Sequence, residues 1–277
     1  MPALPSCLTE PIWEQVRPLL PDHHDDHPLG CHRPRIPDRV VFDLLINALV
    51  FGAGYRRIAD ERCSATTLRR RRDEWVAAGV MDRLEQLARH GYDRMIGLEL
   101  DDVAVDGCAT KAPCGGEVAG RNPTDRGKLG IKRSTLTDAG GLPLGVISAP
   151  ANRHDFPLLA PTLDTLKDLG PLPEDTCVHL DAGYDSHVTR QLLADRELRG
   201  RIAGKGVPAP VQATKRWPVE RTHAWHNTFY KLARCTERRQ IVADFYIALA
   251  NTVILVRRLL RRAWTLYRWD TRPRRRP

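Results

Sequence analysis

The chain has 277 residues, a length that suits one well-buried core with an appended module. Hydrophobic residues make up 42% of it and charged residues 28%, which is a globular, soluble composition. The formal net charge of +9 is unevenly placed: residues 215–277 hold 16 Lys or Arg against 4 Asp or Glu, a net of +12, and the preceding 214 residues carry −3. A cationic surface of this size attracts nucleic acid phosphates, although a solvated basic face is the alternative for any short run.

Cysteine usage and hydropathy exclude several classes of protein. Seven cysteines without a CxxC pair argue against a disulfide framework and a zinc ribbon, and predict reduced thiols in a cytoplasmic protein. The opening residues lack the basic start and long apolar run of a signal peptide. The stretch IALANTVILV, about ten residues bordered by arginines, is too short to span a bilayer and predicts a buried helix.

The first hundred residues have helical patterns. Thr9 is expected to cap a helix over TEPIWEQVRPLL. After a loop, the stretch RVVFDLLINALVFGAG predicts a buried helix that ends at its glycines. The loop also offers a possible metal cluster, but its irregular spacing among prolines and aspartates favours an ordinary loop. The members of this cluster are His23, His24, His27, Cys31 and His32.

A helix-turn-helix pattern comes next. A short helix over GYRRIADERC precedes a second helix over SATTLRRRRDEWVAAG, for which Ser64 is the expected N-cap. The second helix carries four consecutive arginines, residues 69–72, as a helix that enters the DNA major groove would. The alternative is a helical bundle with a solvated basic helix. A further helix over MDRLEQLARHGYDR closes this module.

From Leu98 the pattern changes to short strands. Three β-rich runs separated by Gly and Pro turns predict an antiparallel meander, and helices then alternate with two more strands. This order is that of a ribonuclease-H-like domain, an α/β fold in which helices flank a mixed sheet. In that topology the first strand, the fourth strand and the helix after the fifth strand converge at one edge of the sheet.

Three carboxylates occupy those converging positions. Asp106 ends the apolar run in VAVDG, Asp181 ends the run in CVHLDAGYD, and Glu220 lies in the helical-looking stretch RWPVERTHAWHNTFYKLARCTERR. Taken singly, each acid is as well explained by a turn or a surface position. Together they predict three hard oxygen ligands around a pair of Mg²⁺ or Mn²⁺ ions, an arrangement that cuts and joins phosphodiesters.

The motifs around these acids resemble a known family. DGCATKAPCGGEVAGRNPTDRGKLGIKRSTLTDAGGLPLGV, LDAGYDS and RWPVERTHAWHNTFYKLARCTERR are similar to the motifs of bacterial insertion-sequence transposases of the Asp-Asp-Glu type, in the group named after insertion sequence five. The opening LTEPIWEQVRPLLPD also matches. The resemblance implies a ribonuclease-H-like core, a divalent metal requirement, binding to terminal inverted repeats, and DNA cleavage with strand transfer.

The resemblance assigns roles to individual residues. Asp106, Asp181 and Glu220 match the family's acidic triad, and Arg216 matches its Arg position. Ala213 and Asn227 stand where the family has Tyr and Lys, so the roles of those two positions are open. Nearby cations, among them Arg221, Lys231, Arg234, Arg238 and Arg239, are candidates to supply the missing contacts. The expected DNA contacts are Arg69, Arg70, Arg72, Lys111, Arg126, Lys128, Lys132, Arg133, Lys205, Arg216, Arg221 and Lys231.

These predictions divide the chain into three parts. Residues 1–97 are expected to form a helical DNA-binding module, residues 98–240 the catalytic domain, and residues 241–277 a C-terminal helix with a basic tail. The expected partner is double-stranded DNA, held by a homodimer at the nucleoid. The arginine-rich tail is expected to bind phosphates without sequence preference.

Three other functions compete with this interpretation. A tyrosine recombinase needs an Arg, His-x-x-Arg and Tyr set, which HAWH does not supply. A zinc hydrolase would use His154, Asp155, His179 and Asp181, but His179 is expected to point outward from its strand. The main rival is a non-catalytic or repurposed DNA-binding regulator derived from a transposase.

Overall fold

A computed structural model describes residues 3–23, 34–204 and 217–266. The N-terminal part is helical, as predicted. Its helices are α1 (Ser6–Val16, extended by a 3₁₀ turn at Arg17–Leu19), α2 (Asp38–Phe51), α3 (Tyr55–Ile58), α4 (Ala65–Ala77) and α5 (Val80–Met95).

Local chemistry accounts for most of these helix ends. Ser64 caps α4, because its hydroxyl accepts a hydrogen bond from the Thr67 amide at 3.2 Å, as predicted. Gly52 ends α2 with φ +62°, and a Cβ there would lie 2.8 Å from the Tyr230 backbone. The Thr9 prediction is wrong: α1 begins at Ser6 after Pro5, and Thr9 is buried inside the helix.

The rest of the chain forms a mixed sheet with helices on both faces. Its strands are β1 (Asp102–Lys111), β2 (Gly120–Arg121), β3 (Leu129–Asp138), β4 (Pro143–Pro150), β5 (Cys177–Leu180) and β6 (Arg199–Ile202). The helices of this part are α6 (Phe156–Asp164, followed by a 3₁₀ turn at Thr165–Leu169), α7 (His187–Ala194), α8 (Trp217–Asn227), α9 (Tyr230–Ala233) and α10 (Gln240–Leu266).

The strand order is that of a ribonuclease-H-like sheet. β3 pairs antiparallel with β1 on one side and with β2 and β4 on the other, while β5 and β6 continue from β1 as parallel strands. The predicted meander and the two later strands are confirmed. The short β2 was not predicted.

The stretch after β6 is not one helix. α8 ends at Asn227, and a turn through Thr228 and Phe229 leads into the single turn of α9. Residues such as Lys231 therefore lie on a different element from Glu220, contrary to the continuous helix that the sequence suggests.

Two hydrophobic clusters make up most of the interior. One joins α1, α2, α4 and α5 to α9 and α10, and includes Phe42, Trp75, Leu249 and Val253. The other lies between one face of the sheet and α6 and α7. The helical cluster crosses the predicted boundaries at residues 97 and 240, so the three-part division stays a prediction.

α10 is the buried helix predicted from IALANTVILV, but it is longer than that stretch. By length and composition this 27-residue helix could cross a membrane, and 72% of its most apolar window is buried inside the protein. Its buried residues lie between Val242 and Leu255, and most of them belong to the helical cluster. Packing among the other helices therefore accounts for its apolar character.

Candidate active site

The parallel register of β1 and β5 places two aspartates side by side. Ala104 pairs with His179, so the same register continued two residues further sets Asp106 beside Asp181. Because side chains alternate along a strand, both carboxylates lie on the same face of the sheet. The structure thus brings the two aspartates together, and their role as site residues stays a prediction.

Asp106 is partly exposed because the neighbouring strand β5 is short. It lies inside the ten-residue β1 and not at a strand end, but β5 stops at Leu180, which opens the sheet beside it. The Asp106 side chain is 30% exposed. The Gly107 amide donates to Asp106 Oδ1 at 2.8 Å, and the Gly183 amide donates to Asp181 Oδ1 at 2.9 Å. Backbone amides thus fix one oxygen of each carboxylate.

Helix α8 packs against this part of the sheet. His223 Nδ1 lies 4.0 Å from Asp106 Oδ2, and the side chain of Asn227 accepts a hydrogen bond from Arg133 on β3 at 2.8 Å. Glu220 precedes His223 by three residues, so it lies on the same stripe of the helix, about 4.5 Å back along the axis. Glu220 is exposed to solvent.

The two histidines of α8 are neutral at pH 7. Burial, followed by the charge of Arg133, lowers the pKa of His223 to about 4. The same two causes, in the same order, lower the pKa of His226 to about 3, and its Nε2 contacts the Asn251 side-chain oxygen at 2.6 Å. A neutral His223 adds no positive charge beside Asp106. The sequence suggested no role for His223.

A third aspartate reaches the site from the opposite face. Asp155 precedes α6, and its Oδ1 lies 2.9 Å from Lys132 Nζ on β3. Tyr184, which follows Asp181 in a 3₁₀ turn, is buried, and burial raises the pKa of its hydroxyl with the further help of Asp155, Asp106 and Asp181. The sequence had placed Asp155 only in the zinc alternative.

One other cluster has the composition of a metal site. Asp102, Cys177 and His179 place their ligand atoms within 4.8 Å of one another, and across residues 3–23, 34–204 and 217–266 this is the only such group of three. His179 is buried, not outward-pointing as predicted, and its Nε2 lies 2.6 Å from Asp102 Oδ1. Arg199 and Arg201 on β6 are the register partners of Cys177 and His179 on β5.

The zinc-hydrolase set is not brought together. Of its four members only His179 belongs to the group just described, and His154 is exposed. The triad of Asp106, Asp181 and Glu220 also falls outside that 4.8 Å criterion.

The residues predicted to contact DNA differ in how exposed they are. Arg69, Arg70, Lys111, Arg126 and Lys128 are exposed. Lys132 is paired with Asp155, and Arg221 is half-buried and donates to the Gly140 carbonyl at 2.5 Å. Lys205, Ala213 and Arg216 lie outside the described residues, as do the loop residues His24, His27, Cys31 and His32 and the basic tail.

Three predicted contacts are corrected by the structure, because their charges are used inside the protein. Arg133 is buried in the sheet and donates to the Leu232 carbonyl at 3.2 Å. Arg72 and Lys231 both pair with the buried Glu237, the former at 3.4 Å. None of these three side chains reaches the surface in this fold.

The donor set at the sheet edge fits a divalent cation. Asp106 and Asp181 are adjacent, partly exposed carboxylates, and hard oxygen ligands of this kind suit Mg²⁺ or Mn²⁺ rather than softer metals. A free thiol, Cys108, lies two residues after Asp106 on β1. All six cysteines in the described part of the chain are free, as predicted.

Comparison with known proteins agrees with this geometry. Residues 96–256 match the family model of the transposase DDE domain, and residues 8–85 match that of the putative transposase of the IS4/5 family. A putative transposase for insertion sequence element IS402 of Burkholderia cepacia is 37% identical over 141 residues, which are 49% of this chain and 67% of that protein. A transposase for insertion sequence element IS1106 of Neisseria meningitidis serogroup B is 34% identical over 107 residues, 39% of this chain and 33% of that protein.

Among solved structures, a Mos1 transposase paired-end complex with left transposon end is 14% identical, with a TM-score of 0.29 over 83% of this chain and 85% of that one. That score is too low to support any argument about this protein. The match to the DDE-domain model is different in kind, because it spans more than half of the chain and contains Asp106, Asp181 and Glu220. The protein therefore belongs to the family of transposases with a DDE domain.

Proposed function

We propose that this protein is a DNA transposase that binds the terminal inverted repeats of an insertion sequence. In this proposal it cleaves the element ends and joins them to target DNA, and Asp106, Asp181 and Glu220 hold one or two Mg²⁺ or Mn²⁺ ions. The observation that carries the proposal is the register of β1 and β5, which brings Asp106 beside Asp181 at an open edge of the sheet.

Glu220 completes the site through the placement of α8. His223 lies 4.0 Å from Asp106, and Glu220 is one turn earlier on the same stripe. The exposed Glu220 side chain is free to change rotamer, so it can turn toward the aspartates when a cation and DNA are present. In this proposal the two aspartates are preformed, and the position of the Glu220 side chain depends on the bound cation and DNA.

The chain's own groups prepare this site for phosphodiester chemistry. When bound, the cations would stabilise charge on the attacking and leaving oxygens and lower the pKa of the attacking water or 3′-hydroxyl. Asp106 and Asp181 bind them, with one oxygen of each held by the Gly107 and Gly183 amides. The neutral His223 adds no positive charge of its own on the α8 side.

The exposed cations define the proposed DNA surface. Arg69 and Arg70 project from α4, whose other face packs into the helical core through Leu68 and Trp75. Lys111, Arg126 and Lys128 lie near the β1–β3 end of the sheet. Because two element ends are joined to one target, the proposal includes a homodimer on the DNA.

The test is divalent-cation-dependent nicking of element-end DNA by the wild type and by Asp106→Ala. We expect the substitution to reduce nicking by at least about 10³-fold, since one ligand of the cations is lost, while DNA binding is retained. Asp101→Ala, which removes an exposed acid five residues earlier, is the matched control and should nick as the wild type does.

The same experiment separates the proposal from a DNA-binding regulator. A regulator would bind element ends without cutting them and would be indifferent to Asp106→Ala. Equal behaviour of the wild type and this variant in both binding and nicking would refute the assignment of Asp106.

A further inference from the structure

The carboxylate of Asp155 is not used by the helix that it precedes. Asp155 is the N-cap residue of α6, where an aspartate normally accepts a hydrogen bond from an amide of the first turn. Its side chain makes no such bond. It extends instead toward β1 and β3, away from the helix end.

The Asp155 carboxylate lies on the residue that follows Asp106. A Cβ added to Gly107 would be 2.1 Å from Asp155 Oδ1, well inside contact distance. Only glycine leaves room for the carboxylate at this point of β1. The Asp-Gly pair in VAVDG therefore serves the approach of Asp155, in addition to carrying Asp106.

Lys132 is the cation that Asp155 holds. Its Nζ lies 2.9 Å from Asp155 Oδ1, and the Lys132 side chain is only 12% exposed. A mostly buried ammonium is weakly screened by water, so its charge acts on neighbouring groups over a longer range than that of a surface lysine.

Tyr184 ties Asp155 to the two aspartates of the site. Tyr184 is 2% exposed, and within the described part of the chain its hydroxyl has no hydrogen-bond partner. Its pKa is raised first by burial, then by Asp155, Asp106 and Asp181 in that order. The charges of all three carboxylates therefore act on the same buried hydroxyl.

We propose that Asp155 is a positioning residue of the divalent-cation site, acting across the sheet by holding and neutralising Lys132, which lies next to Gly107 on the face opposite Asp106. The inference rests on the proposed function, since it assigns the cations to those two aspartates. Without Asp155, the charge of Lys132 is uncompensated on the opposite face of the same strands, and it repels the cations through the sheet. With it, the pair is neutral and the two aspartates keep their full attraction for the metal.

Three variants test this charge balance by Mn²⁺ binding to the whole chain, measured by calorimetry without DNA. Asp155→Asn should weaken Mn²⁺ binding roughly tenfold, because an unpaired ammonium is left near the site. Lys132→Met should tighten it, because Asp155 is then an uncompensated negative charge. The double variant should bind within about threefold of the wild type, since neither charge remains.

Asp164→Asn is the matched control, because Asp164 is paired with Lys167 at 3.1 Å at the other end of the same helix. It should leave Mn²⁺ binding unchanged. If Lys132→Met fails to rescue Asp155→Asn, Asp155 does not act through Lys132 and the inference is overturned. Should Asp155→Asn fail to fold, tightening in Lys132→Met supports the inference and weakening overturns it.

The proposed function and this inference fail in different ways. A wild-type chain that neither binds Mn²⁺ nor nicks DNA refutes both. A wild-type chain that does both, together with an Asp155→Asn variant of unchanged Mn²⁺ affinity, refutes only the role of Asp155.

Discussion

Four consecutive arginines on α4 have different environments in the folded protein. Arg69 and Arg70 are exposed, whereas Arg71 and Arg72 are buried and paired with acids. The sequence predicted DNA contacts for Arg69, Arg70 and Arg72 of this run. A helix turns 100° per residue, so two of four consecutive side chains must face the core whenever the opposite side is solvated. Which two depends on the partners that the rest of the chain supplies.

The buried histidines of α8 make stability depend on pH. Free histidine in the unfolded chain has a pKa near 6.5, whereas the folded protein lowers the pKa of His226 to about 3 and that of His223 to about 4. Below pH 6.5 the unfolded chain binds protons that the folded protein excludes. The stability present above pH 6.5 is therefore lost as the pH falls toward these folded values.

We expect the free energy of unfolding of His226→Gln to depend less steeply on pH than that of the wild type. Between pH 6.5 and pH 4 the free energy of unfolding of the wild type should fall faster than that of the variant, by up to about 1.4 kcal/mol per pH unit. Urea unfolding at several pH values measures the difference. Glu85, whose pKa burial raises to about 7, acts in the opposite direction in both proteins. Parallel pH profiles for the two proteins would contradict the lowered pKa of His226.

At the level of elements, the break between α8 and α9 decides what the last motif does. Helix α8 lies on the sheet and carries Glu220, while α9 packs into the helical cluster. Lys231 there contacts Glu237, and the Tyr55 hydroxyl donates to the same carboxylate at 3.0 Å. Arg72 of α4 also pairs with Glu237. This polar cluster therefore connects the N-terminal helices to the segment between α9 and α10.

Removing one member of this cluster should be costly. We expect Lys231→Met to lower the free energy of unfolding by about 3–5 kcal/mol, because Glu237 keeps its charge in a buried place with one cation fewer. Arg70→Met, on the exposed side of α4, is the matched control and should change stability by less than about 0.5 kcal/mol.

Urea unfolding of both variants measures these two values. Equal, small changes would show that the Lys231 ammonium is hydrated in solution, and the surface role predicted from the sequence would then be restored. A large loss for Lys231→Met alone would support its structural role.

At the level of the whole molecule, most of the basic charge is separated along the sequence from the two aspartates of the site. The sequence from residue 215 to the end carries a net charge of +12, and the last six residues alone hold four arginines. The site acids come mostly from the sheet. This separation is what a protein needs when it holds a polyanion against a cluster of carboxylates.

Deleting residues 272–277 should therefore weaken DNA binding without changing its sequence preference. In a plot of the logarithm of affinity against the logarithm of salt concentration, the slope should become shallower by up to about three to four units. Each phosphate contact removed accounts for about one unit. Fluorescence anisotropy with element-end and unrelated duplexes at several salt concentrations measures both quantities. A loss confined to element-end DNA would indicate that these residues read bases instead.

The sequence by itself determined the order of most helices and strands, the positions of Asp106 and Asp181 on neighbouring strands and the buried character of α10. Apolar periodicity and turn residues are local signals, and the acids stand at the ends of apolar runs, where a local pattern suffices to find them. The family motifs added Glu220.

Tertiary structure alone decided which charges are available. The roles of Arg72, Arg133 and Lys231, the approach of Asp155 to Gly107, and the contact of His223 with Asp106 depend on partners that are remote in sequence. Burial and ion pairing are properties of the packed molecule, and a run of basic residues looks the same whether it faces DNA or a buried carboxylate.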